Sequence, residues 1–456
     1  MKDLTQGPIG RHVVEMSIPI AIGMLLQALY FLIDLYFVSR LGEAAIAGVS
    51  SAGNVFFAVM ALTQMLGVGT VSLMSHAVGR KDRAEANHIF NQSVLLALIC
   101  AVVTLVGGYA FADEYMNVFG PDAPTRAAGV AFLHGYIPGM ALQFAMVVMG
   151  SALRGTGIVK PTMIVQMVTV LLNAALAPVM IAGWGTGIAL GPAGAGWAST
   201  IAVAAGTLFL AFYFVKLESY VEFDRTQWHP KLETWKRMLN VGLPSGGEFL
   251  MLGVYSGVIY WIIRHFGAAA QAGFGIGGRV MQAVFLPAMA IAFAVPAIAG
   301  QNYGARNPDR VRETFRKAVV ASVAIMFTLT LVVQWQGRAM VGAFTSDPVV
   351  ADFGFGFLKV ISWNFVAVGI VFTCSGMFQG LGNTWPSLIS TATRMLTFAM
   401  PGIWMSTRPG FRIEDLWHLS VATSLLQACF SYVLLRIQFR ERLGPMVAAT
   451  APQATG

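Results

Sequence analysis

Runs of about 20 apolar residues, broken by short polar or Gly/Pro-containing segments, recur along the whole chain. They predict spanning helices at 14–39, 45–78, 90–111, 128–152, 160–182 and 194–215. Beyond the polar stretch KLESYVEFDRTQWHPKLETWKR, six more lie at 236–264, 270–302, 315–336, 353–378, 385–406 and 416–437. The expected fold is an all-α polytopic membrane protein with twelve transmembrane helices. The organisation it implies is an N-terminal six-helix lobe (1–215), a cytoplasmic connector (216–235), a C-terminal six-helix lobe (236–443) and a mobile tail (444–456).

An internal repeat sharpens this picture. Residues 225 positions apart match: Pro19 with Pro244, Tyr30 with Tyr255, Gly42 with Gly267 and Gly79 with Gly304. Gly155 with Gly380, Gly157 with Gly382 and Pro161 with Pro386 follow at the same offset. Six spans per half is an even number, so both halves enter the membrane from the same side and run in parallel. Parallel repeats are related by a pseudo-two-fold axis along the membrane normal, an architecture suited to transport through a central site.

Composition agrees. The 456 residues are 56% hydrophobic and 11% charged, too little charge to wet the surface of a soluble protein of this length. The net charge of +8 raises nucleic acid as a partner. Its basic residues, however, sit in loop clusters such as Arg80, Lys81 and Arg83, or Arg306, Arg310 and Arg312. The opposite loops carry only Arg40, Arg126, Arg264, Arg338, Arg408 and Arg412. That asymmetry marks cytoplasmic loops, puts both termini inside and removes nucleic acid from consideration. Cys100, Cys374 and Cys429 lie in apolar runs without metal-ligand spacing, so no metal site is expected. No cleavable signal pattern precedes the first span.

The candidate chemistry centres on the first span. Pro19, Gly23, Gln27, Tyr30 and Asp34 follow at intervals of four, four, three and four, and so share one helix face. Asp34 falls about 30 Å along a helix that starts inside. A carboxylate within a span costs about 2.5–3.5 kcal/mol on insertion scales, which points to an ion or proton site; the alternative is a hydrogen bond to a neighbouring helix. Its repeat mate is Ile259, so the acid is not part of what the halves share, whereas the kinking Pro19 is. Gln166, Thr169 and Asn173 share a face of the fifth span, where Asn173 either joins Asp34 at an ion or makes an interhelical contact. In the second half, Glu248, Arg279 and Arg394 are read as possible substrate or structural polar groups, a Glu248 salt bridge to either arginine being the favoured arrangement. There is no Walker A loop, HExxH or GxSxG, hence no ATP hydrolysis, no catalytic residues and no cofactor to expect.

MSIPIAIGMLLQALYFLIDLYFVSRLGEAAIAGVS, its echo VGLPSGGEFLMLGVYSGVIYWIIRHFGAAAQAGFG, and the pair LRGTGIVKPT and FQGLGNTWPS carry a resemblance to the multidrug and toxic compound extrusion (MATE) family. The resemblance covers nearly the whole chain. It implies two six-helix lobes that open alternately to either side of the plasma (inner) membrane, exporting small organic compounds in exchange for H+ or Na+. Within the family the chain resembles the DinF-like branch, whose first-span Asp couples the cation. Asp34 and Asn173 match that branch, and Ser199 stands in for a sixth-span Thr. Ala177 stands where the branch often has a second fifth-span Asp, so H+ is favoured over Na+; the seventh-span Glu of NorM-like relatives, around Gly253 here, is absent, and Glu248 does not take its role. The expected partners are organic, cationic or amphipathic substrates and membrane lipids, with the protein a monomer. The alternatives are a flippase for a lipid-linked precursor and, from another class, a non-transporting sensor or an intramembrane enzyme.

Overall fold

The computed structural model describes residues 1–450. The first half contributes α1 (Ile9–Ser39), α2 (Glu43–Gly79), α3 (Arg83–Phe119), α4 (Ala123–Gly155), α5 (Lys160–Ala182) and α6 (Gly191–Lys216). The second contributes α7 (Leu232–Ile263), α8 (Ala268–Gly304), α9 (Pro308–Gly342), α10 (Pro348–Ile361), α11 (Phe365–Gly380), α12 (Trp385–Ser406) and α13 (Ile413–Thr450). A 3-10 turn at Ser362–Asn364 joins α10 to α11, so Pro348–Gly380 forms a single span. Among the described residues eleven segments are long and apolar enough to cross a bilayer. The twelfth is α12, a 22-residue helix whose apolar character is diluted by Ser387, Ser390, Thr391, Thr393 and Arg394. Apolar side chains such as Val102, Val106 and Phe111 on α3, or Leu208 and Phe212 on α6, are exposed, as side chains facing lipid are.

The repeat reaches down to single backbone torsions. Gly42 and Gly267 take φ of 102° and 87°, Gly157 and Gly382 take 81° and 73°. The two non-glycine residues with positive φ among those described, Lys81 (60°) and Arg306 (55°), form another such pair. Helix caps follow the same rule. Asp82 accepts from the Glu85 N–H at 2.9 Å where its mate Asn307 accepts from Arg310, and Asp122 caps α4 as Asp347 caps α10. Cap and turn chemistry is set by local sequence, which is why the two halves repeat it so closely.

By internal contacts the chain falls into two compact units. One holds Met1–Asp3 and Ile22–Gly246; the other holds Leu4–Ala21 and the chain from Gly247 onward. The units therefore depart from the expected lobes at α1 and α7, each of which changes unit part-way. The change points, Ile22 and Gly247, lie just past the repeated prolines and are themselves repeat mates. In the second unit, the buried Leu4 is held by its backbone: its N–H donates to Gln301 Oε1 (2.9 Å), and its carbonyl accepts from Asn302 Nδ2 and Arg310 Nη2 (3.2 Å each). In the first, the beginning of α7 packs on α2 through Gly242 and Gly246. Each unit has its own aromatic-rich core: Phe90 stacked on Phe214 (4.6 Å) in the first, and Phe274, Phe357 and Trp417 in the second.

The connector is zipped onto α3. Asn91 spends its whole hydrogen-bonding capacity: Nδ2 donates to the Asn87 and Glu222 carbonyls, and Oδ1 accepts from the Asp224 N–H and the Trp228 indole. Gln92 binds the Gln227 and His229 carbonyls and the Lys231 N–H. Asp224 caps a 3-10 turn at Arg225–Gln227, and its carboxyl is held below the usual carboxylate range by the Thr226 hydroxyl and N–H, with help from Gln227. A lowered folded value stabilises above the ordinary carboxylate pKa of about 3.9 and is lost as pH falls through the folded value. Hydrogen exchange over 222–231, corrected for intrinsic rates, should thus be equal at about pH 7 and 5 and rise only below about pH 4. Asn91→Ala should accelerate tryptic cleavage after Arg225 at neutral pH, because it orphans backbone groups at about 1–3 kcal/mol; unchanged cleavage would refute the zipper.

The expected mobile tail is helical from Gly444 through Thr450, as part of α13. No turn or glycine cap interrupts it at Gly444, and Pro445 is accommodated within the helix. Residues 451–456 lie outside the described residues.

Candidate functional site

In the first unit, α4, α5 and α6 approach closely because their contacts are made by small residues. A Cβ on Gly194 of α6 would lie 2.2 Å from the Met180 carbonyl of α5, and one on Gly196 would lie 2.4 Å from the Phe132 carbonyl of α4. With α5 and α6 this close, Asn173 (fully buried) and Ser199 (1% exposed) face each other. Asn173 Nδ2 donates to Ser199 Oγ at 3.5 Å, and Ser199 Oγ donates to Asp34 Oδ2 of α1 at 3.2 Å. The Tyr30 hydroxyl, one turn before Asp34, faces Ser199 and Asn173, and Tyr136 of α4 lies within electrostatic reach of the carboxylate. The structure thus brings together the four first-lobe residues Asp34, Asn173, Ser199 and Tyr30.

Two buried oxygens in this cluster, Asp34 Oδ1 and Asn173 Oδ1, have no hydrogen-bond partner. Both are acceptors, and a buried acceptor left unmade costs about 1–3 kcal/mol, more when charged. The cluster lacks positive charge: no Lys or Arg pairs with Asp34 among the described residues. What it can accept is a proton on the carboxylate or a small cation. No group of three or more His, Cys, Asp or Glu able to hold a metal lies among the described residues, and Ala177, one turn beyond Asn173, is fully buried and offers no oxygen from its side chain.

Nearer the basic end of α1, Gln27 Oε1 accepts from Gln166 Nε2 at 2.7 Å. Gln166 and Asn173 therefore both meet α1, while the Thr169 hydroxyl between them turns back onto the Val165 carbonyl. Pro19 sits inside α1 three residues before the helix changes unit.

The second half corrects an expectation. Glu248 makes no salt bridge with Arg279 or Arg394. Its carboxylate is instead caged by hydroxyls: Ser387 Oγ approaches Oε1 and Oε2 at 3.1 and 3.0 Å, and Thr391 Oγ1 donates to Oε1 at 3.0 Å. Ser375 joins Ser387 at 3.0 Å and Gln427 donates to Thr391 at 3.3 Å. The physical reason is the face of α12: Ser387 and Thr391, four residues apart, point at Glu248, whereas Arg394 is turned to Tyr255. Arg279 is exposed on α8. The i, i+4 hydroxyls of α12, the least apolar span, were the legible sign of this cage; Tyr136 left no sign in sequence.

Two stretches of the chain, 19–179 and 244–405, match the MatE family model, and their starts are repeat mates. Over 444 residues the chain is 24% identical to the multidrug export protein MepA of Staphylococcus aureus (strain MRSA252), covering 96% of each. It is 24% identical over 378 residues to the probable multidrug resistance protein YoeA of Bacillus subtilis (strain 168), covering 82% of each. Among solved structures it is similar to the outward-facing conformation of a multidrug resistance MATE family transporter of the MOP superfamily, with a TM-score of 0.90 and 25% identity, covering 96% of this chain and 98% of that one. Multi-pass, built of two parallel repeats and matched by the family model in both of them, this chain belongs to the MatE family of membrane transporters.

Proposed function

We propose that the protein is an antiporter that exports organic, cationic or amphipathic compounds in exchange for H+, with Asp34 as the proton-coupling residue. The observation that carries this reading is the pair of orphaned buried acceptors, Asp34 Oδ1 and Asn173 Oδ1. A hydrogen on Asp34 Oδ1 turns an unpartnered acceptor into a donor, and it removes the charge that burial penalises. Sodium would need several more oxygens, and Ala177 stands where the DinF-like pattern has an acid. The export direction follows the name of MepA, a multidrug export protein, and the breadth of cargo follows the multidrug names of MepA and YoeA.

Proton and substrate must each favour one of two alternating states for exchange to run. A pH difference of one unit then supplies about 1.4 kcal/mol per proton, enough for about a ten-fold substrate gradient at one-for-one exchange. The deciding experiment is reconstitution in liposomes loaded with ethidium, imposing a pH gradient or a sodium gradient separately. The pH gradient should drive ethidium movement, and a protonophore should abolish it. Movement driven by sodium in the presence of the protonophore would replace H+ by Na+, and movement driven by neither would remove exchange and favour the flippase.

A further inference from the structure

The repeat mate of Tyr30, the tyrosine beside Asp34, is Tyr255 of α7. Around it the second unit builds a different polar cluster. Ile259 replaces the acid and Phe398 replaces the asparagine, its ring 4.8 Å from that of Tyr255. The charge here is Arg394 of α12, whose own repeat mate is the neutral Thr169. Its guanidinium carbon lies 4.9 Å over the Tyr255 ring, and Nη2 donates to the Tyr255 hydroxyl at 3.3 Å. That hydroxyl meets Ser420 Oγ of α13 at 3.2 Å, and Ser420 in turn accepts from Asn364 Nδ2 at 3.5 Å. Asn364 is aimed there by the 3-10 break between α10 and α11, whose freed Ser362 carbonyl is taken up by the Thr330 hydroxyl at 2.9 Å.

This arginine lies within a span and has no carboxylate within salt-bridge distance among the described residues. Glu248, one of the acids in the same unit, is already occupied by Ser387 and Thr391. Of the five N–H donors of a guanidinium, one meets Tyr255, and the buried Nε–H has no acceptor. A cation–π contact is worth about 0.5–2 kcal/mol, less than the cost of a charge at membrane depth. The side chain is half-buried, so part of it stays open to an approaching group. A planar, forked donor stacked on a ring and short of acceptors is complementary to a carboxylate.

We infer that Arg394, held by Tyr255, Ser420 and Asn364, is an anion subsite that takes the carboxylate of amphipathic organic molecules. As a statement about which substrates this transporter takes, it rests on the export reading above; as a statement about binding, it does not. Within the proposed substrate class this singles out amphipathic molecules that bear a carboxylate.

Rhodamine 110 and its methyl ester rhodamine 123 differ only in that the first carries a free carboxylate. Binding of each to the purified full-length protein is followed by fluorescence anisotropy. Arg394→Gln should weaken rhodamine 110 roughly ten-fold or more and leave rhodamine 123 within about two-fold, while Arg394→Lys, which keeps charge but not the fork, falls between. Retained rhodamine 123 binding shows that the variant is folded. The inference is overturned if Arg394→Gln leaves rhodamine 110 binding unchanged, weakens both dyes alike, or if the wild type shows no saturable rhodamine 110 binding. Efflux of rhodamine 123 under a pH gradient is read separately. Its absence removes proton exchange without touching the anion subsite, and its presence leaves the anion result to be judged on binding alone.

Discussion

Asp34→Asn reduces pH-driven efflux to the leak of protein-free liposomes while the protein folds and elutes as the wild type does. The substitution keeps the size and planarity of the side chain and takes away its ability to gain and lose a proton. Ser199 Oγ, which now donates to Asp34 Oδ2 at 3.2 Å, can still donate to an amide oxygen. The new NH2 group puts a donor where Asp34 Oδ1 is now an unpartnered acceptor. A neutral amide thus imitates the protonated carboxyl permanently. Removing a buried charge while adding a donor is neutral or stabilising, so the melting temperature should equal or exceed that of the wild type. Efflux and melting therefore move apart, which a merely structural Asp34 would not allow. Undiminished pH-driven efflux by the variant would exclude Asp34 as the coupling residue.

Gly242→Ala should be strongly destabilising, even though it adds one methyl group. A Cβ at Gly242 would lie 2.0 Å from the Met65 carbonyl oxygen and 2.8 Å from its carbon, backbone atoms of α2 that cannot swing aside. The contact is reciprocal, since a Cβ on Gly69 of α2 would lie 2.6 Å from the Met238 carbonyl of α7. Relief requires the two helices to separate along the stretch where α7 belongs to the first unit. Overpacking of this kind costs about 1–3 kcal/mol and more where backbone must move. Thermal melting followed by fluorescence-detected size exclusion should show a clear drop for Gly242→Ala. Gly253→Ala, on the same helix with nothing within 4 Å of a built Cβ, should melt like the wild type. Equal melting of the two variants would exclude the glycine lock.

The first-lobe site was unusually legible. A carboxylate in an apolar run is conspicuous because its cost is local, and Asn173 shares its helix face with Gln166, which also meets α1. Ser199 drew attention through the family resemblance, since one serine in an apolar helix carries no such mark. The second-half cluster was misread for a physical reason. Glu248, Arg279 and Arg394 were each visible as charges, but attraction between opposite charges suggests a pair only where geometry permits one. Rotation of α12 gives the hydroxyls to Glu248 and the guanidinium to Tyr255, and helix rotation is settled by packing against several neighbours at once.

What the sequence determined by itself is therefore what depends on neighbours along the chain. This covers the spans, set by runs of apolar residues; the caps and left-handed turns, set by Asp82, Asp122, Gly42 and their mates; and the two-fold repetition of both. What only the tertiary structure decided is which helices meet, and with which faces. It moved the beginnings of α1 and α7 into the opposite contact units at Ile22 and Gly247. It also left Asp34 with a free acceptor and Arg394 with a free donor. Those outcomes turn on distances of a few tenths of an ångström between residues far apart in the chain, which only close packing of helices can set.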